Sequence, residues 1–283
     1  MSASVYVDVN GTRLWFDVDG PLVVPNGPRM RERPTVVLIH GGPGSYDHSY
    51  FKPHFSPLTA WAQVIYLDLR DHGRSDRHSL ADWTFETCGD DVAAFCDTLG
   101  IASPVVLGHS MGGFVAMHYA VRHPAQPRAL ILQSTMARFD LDRIVTAFRT
   151  AAGDEVAELA RRDYGGDTVS DDDWARVFAA FGPCVPDADE LARRVQNPAL
   201  GEHGMALMRE LDVLGALPNI ACPTLVSVGD RDPITPVSAS QEIVDALRPG
   251  VGELAVIDRA GHFPWLDRPD DYWAQIGAFL SRA

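Results

Sequence analysis

Short, continuous runs of apolar residues recur along the first half of the chain, and stretches with helical spacing separate them. Each run is too short for a helix and has no polar face, as expected of a strand buried on both sides of a sheet. Strands that alternate with helices indicate βαβ crossovers and a mostly parallel sheet. The runs are TVVLIH (35–40), AQVIYLDL (62–69), PVVLG (104–108) and ALILQS (129–134), and the helical patterns around the third are FETCGDDVAAFCDTLG (85–100) and MGGFVAMHYAVRHP (111–124).

The two ends of the chain add further strands. VYVDV (5–9) and RLWFDV (13–18) alternate around Asn10-Gly11 and predict a β-hairpin, whereas the segment 20–34, rich in proline and glycine, predicts a surface loop. PTLVSVGD (223–230) and GELAVIDRAGH (252–262) resume the strand pattern late in the chain. We therefore predict an α/β fold with a mostly parallel central sheet of about eight strands, flanked by helices.

The alternation stops between residues 137 and 217. This stretch has amphipathic helical patterns broken by glycine and proline but no good strand run. It predicts a helical cap inserted after the sixth strand, with residues 1–136 and 218–283 forming the core domain. A length of 283 residues suits one domain with an insertion better than two equal domains.

Composition and charge narrow the class of protein. Hydrophobic residues make up 46% of the chain and charged residues 22%, which is ordinary for a globular protein. The formal net charge of −14 repels nucleic acid and anionic membrane surfaces, so neither is expected as a partner. A small-molecule substrate is the expected partner, and the oligomeric state is left open.

The compartment is predicted from the N-terminus and the cysteines. The first residues form neither a basic nor an apolar signal-peptide region, and no segment is apolar enough to cross a bilayer. The four cysteines lack CxxC spacing and are typical of thiols in a reducing compartment. We therefore expect a cytoplasmic protein.

One serine lies between glycines where the third apolar run meets a helical pattern. Ser110 is flanked by Gly108 and Gly112, which gives G-x-S-x-G at the carboxyl end of a predicted strand. A serine that points out of the sheet there takes strained backbone angles, and the glycines remove the collisions of the sharp turn. Ligands bind at this edge of open α/β sheets. Ser110 is therefore predicted to be a catalytic nucleophile.

A nucleophilic serine needs donors for the negative charge that develops on the attacked carbonyl. The loop HGGPG (40–44) follows an earlier strand and can bend a backbone amide towards Ser110. We expect the oxyanion hole to consist of the backbone N–H groups of Gly42 and of Met111, the residue after the nucleophile.

The serine also needs a base and a group that orients the base. His262 follows the last predicted strand, so it should lie on a loop at the same sheet edge. Asp232, in GDRDPITP, follows the preceding strand and is the expected acid of the triad. Asp230 and Asp140, each after a predicted strand, remain alternatives for that acid.

The cap is expected to select the substrate. Trp174, Phe178 and Phe181 are spaced for one helical face and are candidates for the pocket wall, although the same spacing is typical of core packing. His40, beside the glycine loop, is a further candidate. The cap also carries many acids, including Glu202, which either hold a substrate ammonium or simply face water.

Metal and nucleotide sites are not expected. His72, Asp76 and His78 lack a known metal-ligand spacing, and neither G-x-G-x-x-G nor G-x-x-x-x-G-K-[ST] occurs. The reaction predicted here therefore requires no cofactor and no metal.

The motifs HGGPG, DLRDHGRSD, GHSMGG, GDRDPITP and AGHFPWLDRP occur in the order and spacing of the α/β-hydrolases. The chain resembles that superfamily over nearly its full length, and HGGPGSYDHSYF is similar to the proline-iminopeptidase-like group of serine hydrolases. The resemblance implies the α/β-hydrolase fold and its chain order of Ser, Asp and His. That group usually has an aromatic residue after the nucleophile and Asp-Gln-x-Gly after the fourth strand. Met111 and the segment 68–71 (DLRD) depart from both patterns and are more typical of esterases, lactonases and small-amide hydrolases.

We therefore expect a serine hydrolase that cleaves a small carboxylic ester, lactone or amide by a Ser-His-Asp acyl-enzyme mechanism. A proline iminopeptidase-like aminopeptidase is the alternative. A non-catalytic small-molecule binder on a hydrolase fold is a more remote one.

Overall fold

The computed structural model describes residues 5–283, and its centre is a large β-sheet. The continuous apolar runs form its inner strands, since every residue of the strands at 35–39, 105–109 and 129–133 is buried. In chain order the strands are β1 (Val5–Val9), β2 (Thr12–Asp19), β3 (Val23–Asn26), β4 (Arg29–Glu32), β5 (Thr35–Ile39), β6 (Gln63–Leu67), β7 (Val105–His109), β8 (Ala129–Gln133), β9 (Thr224–Gly229) and β10 (Gly252–Ile257).

Eight of these strands form one sheet in the order β1-β2-β6-β5-β7-β8-β9-β10. β1 and β2 pair antiparallel, β2 pairs antiparallel with β6, and the remaining neighbours are parallel. The predicted mostly parallel, eight-stranded α/β sheet is confirmed. Because the parallel strands share a direction, the carboxyl ends of β5, β7, β9 and β10 meet at one edge of the sheet.

Helices flank the sheet and also fill the segment between β8 and β9. Leu141–Gly165 contains a non-helical Gly153, with φ of 85°, which divides it into two parts. In chain order the helices are α1 (Phe85–Thr98), α2 (Met111–Arg122), α3 (Leu141–Gly165), α4 (Asp171–Ala179), α5 (Ala188–Ala192), α6 (Pro198–Arg209), α7 (Val237–Ala246), α8 (Pro264–Asp267) and α9 (Pro269–Leu280).

Helices α3 to α6 are the predicted cap. They follow β8, which is the sixth strand of the large sheet in chain order, as the sequence indicates. The division into a core of residues 1–136 and 218–283 and a cap of residues 137–217 stays a prediction, and its first four residues lie outside the described part of the chain.

The segment 20–34 differs from the surface loop that we predicted. β3 and β4 pair antiparallel around Gly27-Pro28 and form a separate two-stranded hairpin. Gly27 takes a φ of 61°, which glycine adopts without strain. Most residues of this hairpin are exposed. A strand with no buried face needs no alternation of apolar and polar residues, so no such alternation marks these two strands in the sequence.

None of the helices within residues 5–283 combines the length and the apolarity that crossing a bilayer requires.

Candidate active site

Ser110 lies on a sharp turn between β7 and α2. Its backbone angles are φ 54° and ψ −121°, a conformation that costs a non-glycine residue energy. A Cβ atom on Gly108 would lie 2.2 Å from the carbonyl oxygen of Gly112, and one on Gly112 would lie 2.2 Å from that of Ile39. Only glycine therefore fits at both flanking positions, as the motif requires.

The loop after β5 packs directly against this turn. A Cβ on Gly41 would lie 3.4 Å from Cβ of Ser110, and one on Gly42 would lie 3.6 Å from Cε of Met111. Gly42 and Ser110 line the same cavity. Met111 is the first residue of α2, so its N–H has no acceptor within the helix. The two predicted oxyanion donors thus belong to neighbouring segments beside Ser110.

His40 lies under the glycine loop and not in the cavity wall where we expected it. It is fully buried, its Nδ1–H donates to the Gly41 carbonyl oxygen (2.7 Å), and its Nε2 accepts from the Leu69 N–H (3.3 Å). Both ring nitrogens are therefore occupied by backbone groups. Because a trans peptide points its C=O and N–H in opposite directions, the bond to the Gly41 oxygen turns the Gly42 N–H away from His40.

Two more side chains, Tyr50 and His72, hold the glycine loop, and the sequence indicated neither of them for this role. The Tyr50 hydroxyl accepts from the Gly41 N–H (3.0 Å). Nε2 of His72 accepts from the Gly44 N–H (3.0 Å), while its Nδ1–H donates to the Arg70 carbonyl (2.9 Å). Burial lowers the pKa of His72 well below its ordinary value, which keeps the ring neutral and Nε2 an acceptor.

His262 and Asp232 meet at the same edge of the sheet. Nδ1–H of His262 donates to Oδ2 of Asp232 (2.8 Å), and each residue is 3% exposed. The other carboxylate oxygen accepts from the N–H groups of Ile234 (2.9 Å) and Thr235 (3.0 Å). Burial would raise the pKa of Asp232, but the His262 ring and these hydrogen bonds outweigh burial and lower it. Asp232 is therefore a fixed anion beside the imidazole.

The two alternative acids are occupied elsewhere. Asp230 accepts from the Ala260 N–H (3.2 Å), and Asp140 caps α3 through the Arg143 N–H (3.0 Å). Among the described residues, Asp232 is the only acid hydrogen-bonded to His262.

Ser110 and His262 both line the cavity, but no hydrogen bond joins Ser110 Oγ to the imidazole within residues 5–283. Nucleophile–base hydrogen bonds are often long without substrate and shorten when it binds.

The cap holds the backbone of the His262 loop. The His262 N–H donates to the carbonyl of Phe181 (2.7 Å), and a Cβ on Gly261 would lie 2.3 Å from Cα of Gly182. Asp267 joins the same two segments, since it accepts from the N–H groups of Gly261 (2.7 Å) and Cys184 (2.6 Å). A segment of the predicted cap therefore helps to place the imidazole.

The cavity above Ser110 has a volume of about 550 Å³. Of the predicted wall residues, Trp174 and Phe181 line it, together with Tyr46 from the core. Phe178 does not line it; its ring packs against that of Phe181, with the two centroids 5.1 Å apart. Apolar and aromatic side chains cover most of the wall, which suits an uncharged acyl group.

The cap also places charged groups at the cavity. Asp163, Asp167, Glu202 and Arg209 line it, and within residues 5–283 none of the three carboxylates has a cation at ion-pair distance. Burial raises the pKa of Asp163, and the positive charge of Arg209, which is not at ion-pair distance, opposes this rise. The helical pattern of the cap did not indicate which of its many acids face the cavity.

A buried cluster of Asp47, His48 and Asp68 has ligand atoms close enough to hold a cation. Its acceptors already serve other groups: Asp68 Oδ1 accepts from His48 Nδ1–H (2.8 Å), and Asp47 Oδ2 accepts from the Val195 N–H (2.8 Å). The Arg74 guanidinium lies 3.2 Å from His48 Nε2 and disfavours a second cation there. The cluster is therefore best explained as structural.

The chain belongs to the alpha/beta hydrolase fold family, whose model matches residues 34–269. It is accordingly an enzyme of the hydrolase class.

Its relatives carry the names of peptidases and esterases. The chain is 25% identical to "Proline iminopeptidase PfmaB" of Pestalotiopsis fici over 98% of this chain and 99% of that one. It is 29% identical to a pimeloyl-[acyl-carrier protein] methyl ester esterase of Neisseria meningitidis, over 89% and 98% of the two chains. The solved structure of a proline iminopeptidase from Mycobacterium smegmatis superimposes with a TM-score of 0.80 at 25% identity, covering 99% and 98%. These similarities confirm the resemblance to the proline-iminopeptidase-like group.

Proposed function

We propose that this hydrolase cleaves a small carboxylic ester, lactone or amide through an acyl-enzyme on Ser110. The observation that carries the proposal is the arrangement around one cavity. Ser110 sits on a strained turn between glycines, and the same cavity is lined by His262, whose imidazole is held by the buried anion Asp232. A nucleophile, a base and a group that orients the base are the three parts that acyl transfer needs.

In the first step Ser110 Oγ attacks the substrate carbonyl carbon, and its proton passes to Nε2 of His262. Asp232 holds the imidazole in the tautomer with hydrogen on Nδ1 and stabilises the positive charge that forms. The N–H groups of Gly42 and Met111 stabilise the oxyanion, each by roughly 3 kcal/mol. The tetrahedral intermediate then expels the alcohol or amine, which takes the proton from His262.

The second step repeats this chemistry with water. His262 accepts a proton from water as its oxygen attacks the acyl carbon, and the proton then returns to Ser110 Oγ as the carboxylic acid leaves. The reaction consumes one water and needs no redox partner.

The acids of the cavity favour a second candidate, an aminopeptidase of the proline iminopeptidase kind. Asp163, Asp167 and Glu202 offer carboxylates to a substrate ammonium. Relatives named proline iminopeptidase support this candidate, while the relative named methyl ester esterase supports the first. Met111, in place of the aromatic residue usual in that group, keeps the ester, lactone or amide substrate as our first choice.

Turnover of p-nitrophenyl esters and of prolyl arylamides, measured side by side, separates the two candidates. We expect faster ester hydrolysis, and loss of nearly all of it in Ser110→Ala. Fast arylamide release with slow ester turnover would favour the aminopeptidase. Ester hydrolysis that persists in folded Ser110→Ala would contradict both candidates.

A further inference from the structure

The residue before the proposed nucleophile joins two loops that come from distant parts of the chain. His109 is 2% exposed, and both of its ring nitrogens are hydrogen-bonded. Its Nδ1 lies 2.8 Å from the Tyr50 hydroxyl, and its Nε2 lies 3.0 Å from the carbonyl oxygen of His262. Since Tyr50 also accepts from the Gly41 N–H (3.0 Å), three hydrogen bonds connect Gly41 continuously to His262.

The direction of each bond follows from its ends. A carbonyl oxygen only accepts, so Nε2 of His109 carries the hydrogen that it donates to His262. In the neutral ring Nδ1 is then an acceptor, and the Tyr50 O–H donates to it. The Tyr50 oxygen in turn accepts from Gly41, whose N–H only donates. One arrangement of protons therefore satisfies all three hydrogen bonds between Gly41 and His262. We call this series of hydrogen bonds the Tyr50–His109 link.

Burial keeps the link neutral. Burial lowers the pKa of His109 well below its ordinary value, and the neighbouring His262 ring lowers it further. Burial also raises the pKa of Tyr50 well above its ordinary value. A protonated His109 would have a hydrogen on both nitrogens and would confront the Tyr50 O–H with a second donor. The neutral forms are therefore the ones that the geometry accommodates.

We infer that His109 and Tyr50 are positioning residues, which hold the glycine loop and the His262 loop at a fixed separation across the site. The inference rests on the proposed function, because it assumes that Gly42 stabilises the oxyanion and that His262 is the base. Gly41 precedes the proposed oxyanion donor, and the carbonyl of His262 belongs to the proposed base itself. A shift of either loop by about 1 Å is enough to lower kcat by roughly 100-fold.

Tyr50→Phe tests the link by removing one oxygen atom. It leaves the Gly41 N–H and Nδ1 of His109 without their partner, so we expect kcat for a p-nitrophenyl ester to fall roughly 10- to 100-fold. KM should change by less than about twofold, since the loss concerns the transition state and not ground-state binding.

Tyr272→Phe is the matched control. Tyr272 is fully buried and belongs to the same cluster of aromatic rings as Tyr50. Both rings lie beside Trp265: the ring of Tyr272 is 6.0 Å from the Trp265 ring, and that of Tyr50 is 6.1 Å from it. Its hydroxyl has no hydrogen-bond partner in the described part of the chain. We expect this variant to keep the kcat of the unmodified enzyme.

Rescue by a conservative variant provides a second readout. In His109→Gln the amide keeps one donor and one acceptor, whereas His109→Leu keeps neither. If the link positions the site, the Gln variant should retain at least about tenfold more kcat than the Leu variant. If His109 only fills space, leucine and glutamine should be equivalent in kcat.

The outcomes separate failure of this inference from failure of the proposed function. If folded Ser110→Ala still hydrolyses the ester, the proposed function is wrong. If Ser110→Ala is inactive while folded Tyr50→Phe keeps its kcat, the inference alone is overturned. Should Tyr50→Phe fail to fold, the two His109 variants decide, and equal kcat values in them would overturn it.

Discussion

The two walls of the cavity are built on different principles. On the core side, the segments around Gly41, Ser110 and His262 are held by hydrogen bonds from buried side chains or by backbone contacts that leave no room for a Cβ atom. On the cap side, Trp174 is 39% exposed, and the carboxylates at the cavity have no ion-pair partner among residues 5–283. The core side is thus held by buried contacts, whereas the cap side presents carboxylates and a partly exposed aromatic ring that a substrate can contact.

The segment around Phe181 and Gly182 is an exception to this difference between the two walls. It belongs to the predicted cap, yet its backbone contacts the His262 loop directly. The predicted cap therefore helps to position the loop of the proposed base and also forms part of the pocket wall.

The largest effect that we predict concerns Asp232, the proposed acid of the triad on the core side. Asp232→Asn should lower kcat by roughly 10⁴-fold, because the amide cannot hold the imidazole tautomer or stabilise its charge. Asp230→Asn is the control, and it should keep kcat within a few-fold, since Asp230 bonds to Ala260 and not to His262. Steady-state ester hydrolysis measures both, and the opposite ranking would assign the acid to Asp230.

The contact between cap and core gives the next largest effect. A methyl group at position 261 meets backbone atoms of Phe181 and Gly182 at 2.3 Å, so Gly261→Ala must push the segments apart. We expect the free energy of unfolding to fall by about 1–3 kcal/mol and kcat to fall roughly 100-fold. Gly215→Ala, where a Cβ would meet nothing within 4 Å, is the matched control. Wild-type kcat in Gly261→Ala would show that the cap does not position the base.

The buried histidines on the core side make stability depend on pH. Burial lowers the pKa of His40 and strongly lowers those of His72 and His109, so they stay neutral in the fold while the unfolded chain takes up protons near pH 6.5. Below that pH the unfolded state binds more protons, so the free energy of unfolding should decrease steadily as the pH falls from about 7 to 5. Urea unfolding at a series of pH values measures this decrease, and constant stability over the range would contradict the neutral assignment.

The smallest effect that we predict is on the cap side. Glu202→Gln should lower kcat/KM about threefold for an amine-bearing substrate and leave a neutral ester unaffected, because an exposed charge interacts weakly through water. Asp172→Asn makes the same charge change at an exposed cap residue that does not line the cavity, and it should alter neither substrate. Equal effects of the two variants would mean that only net charge matters.

Local patterns explain how much of the fold and site could be predicted. The turn at Ser110 depends on glycines two residues away, and the strands depend on short apolar runs, so both can be recognised within a few residues of sequence. The sheet and the insertion of the cap after β8 follow from the alternation of such runs with helices.

The long-range contacts could not be predicted in this way. His109 meets Tyr50 and His262, which are 59 and 153 residues away, and no local pattern encodes either contact. His40 was expected in the pocket wall because it adjoins the glycine loop, but its ring direction is set by Leu69 and by the carbonyl of Gly41. Helical spacing likewise could not show that Phe181 lines the cavity and Phe178 does not.

The proposed mechanism requires above all that Ser110 is the activated nucleophile. Treating the enzyme with a fluorophosphonate and mapping the adduct by peptide mass spectrometry tests this without knowledge of the natural substrate. We predict a single adduct on Ser110, absent in Ser110→Ala and formed much more slowly in His262→Ala. An adduct on another residue, or none on folded enzyme that hydrolyses esters, would contradict the mechanism.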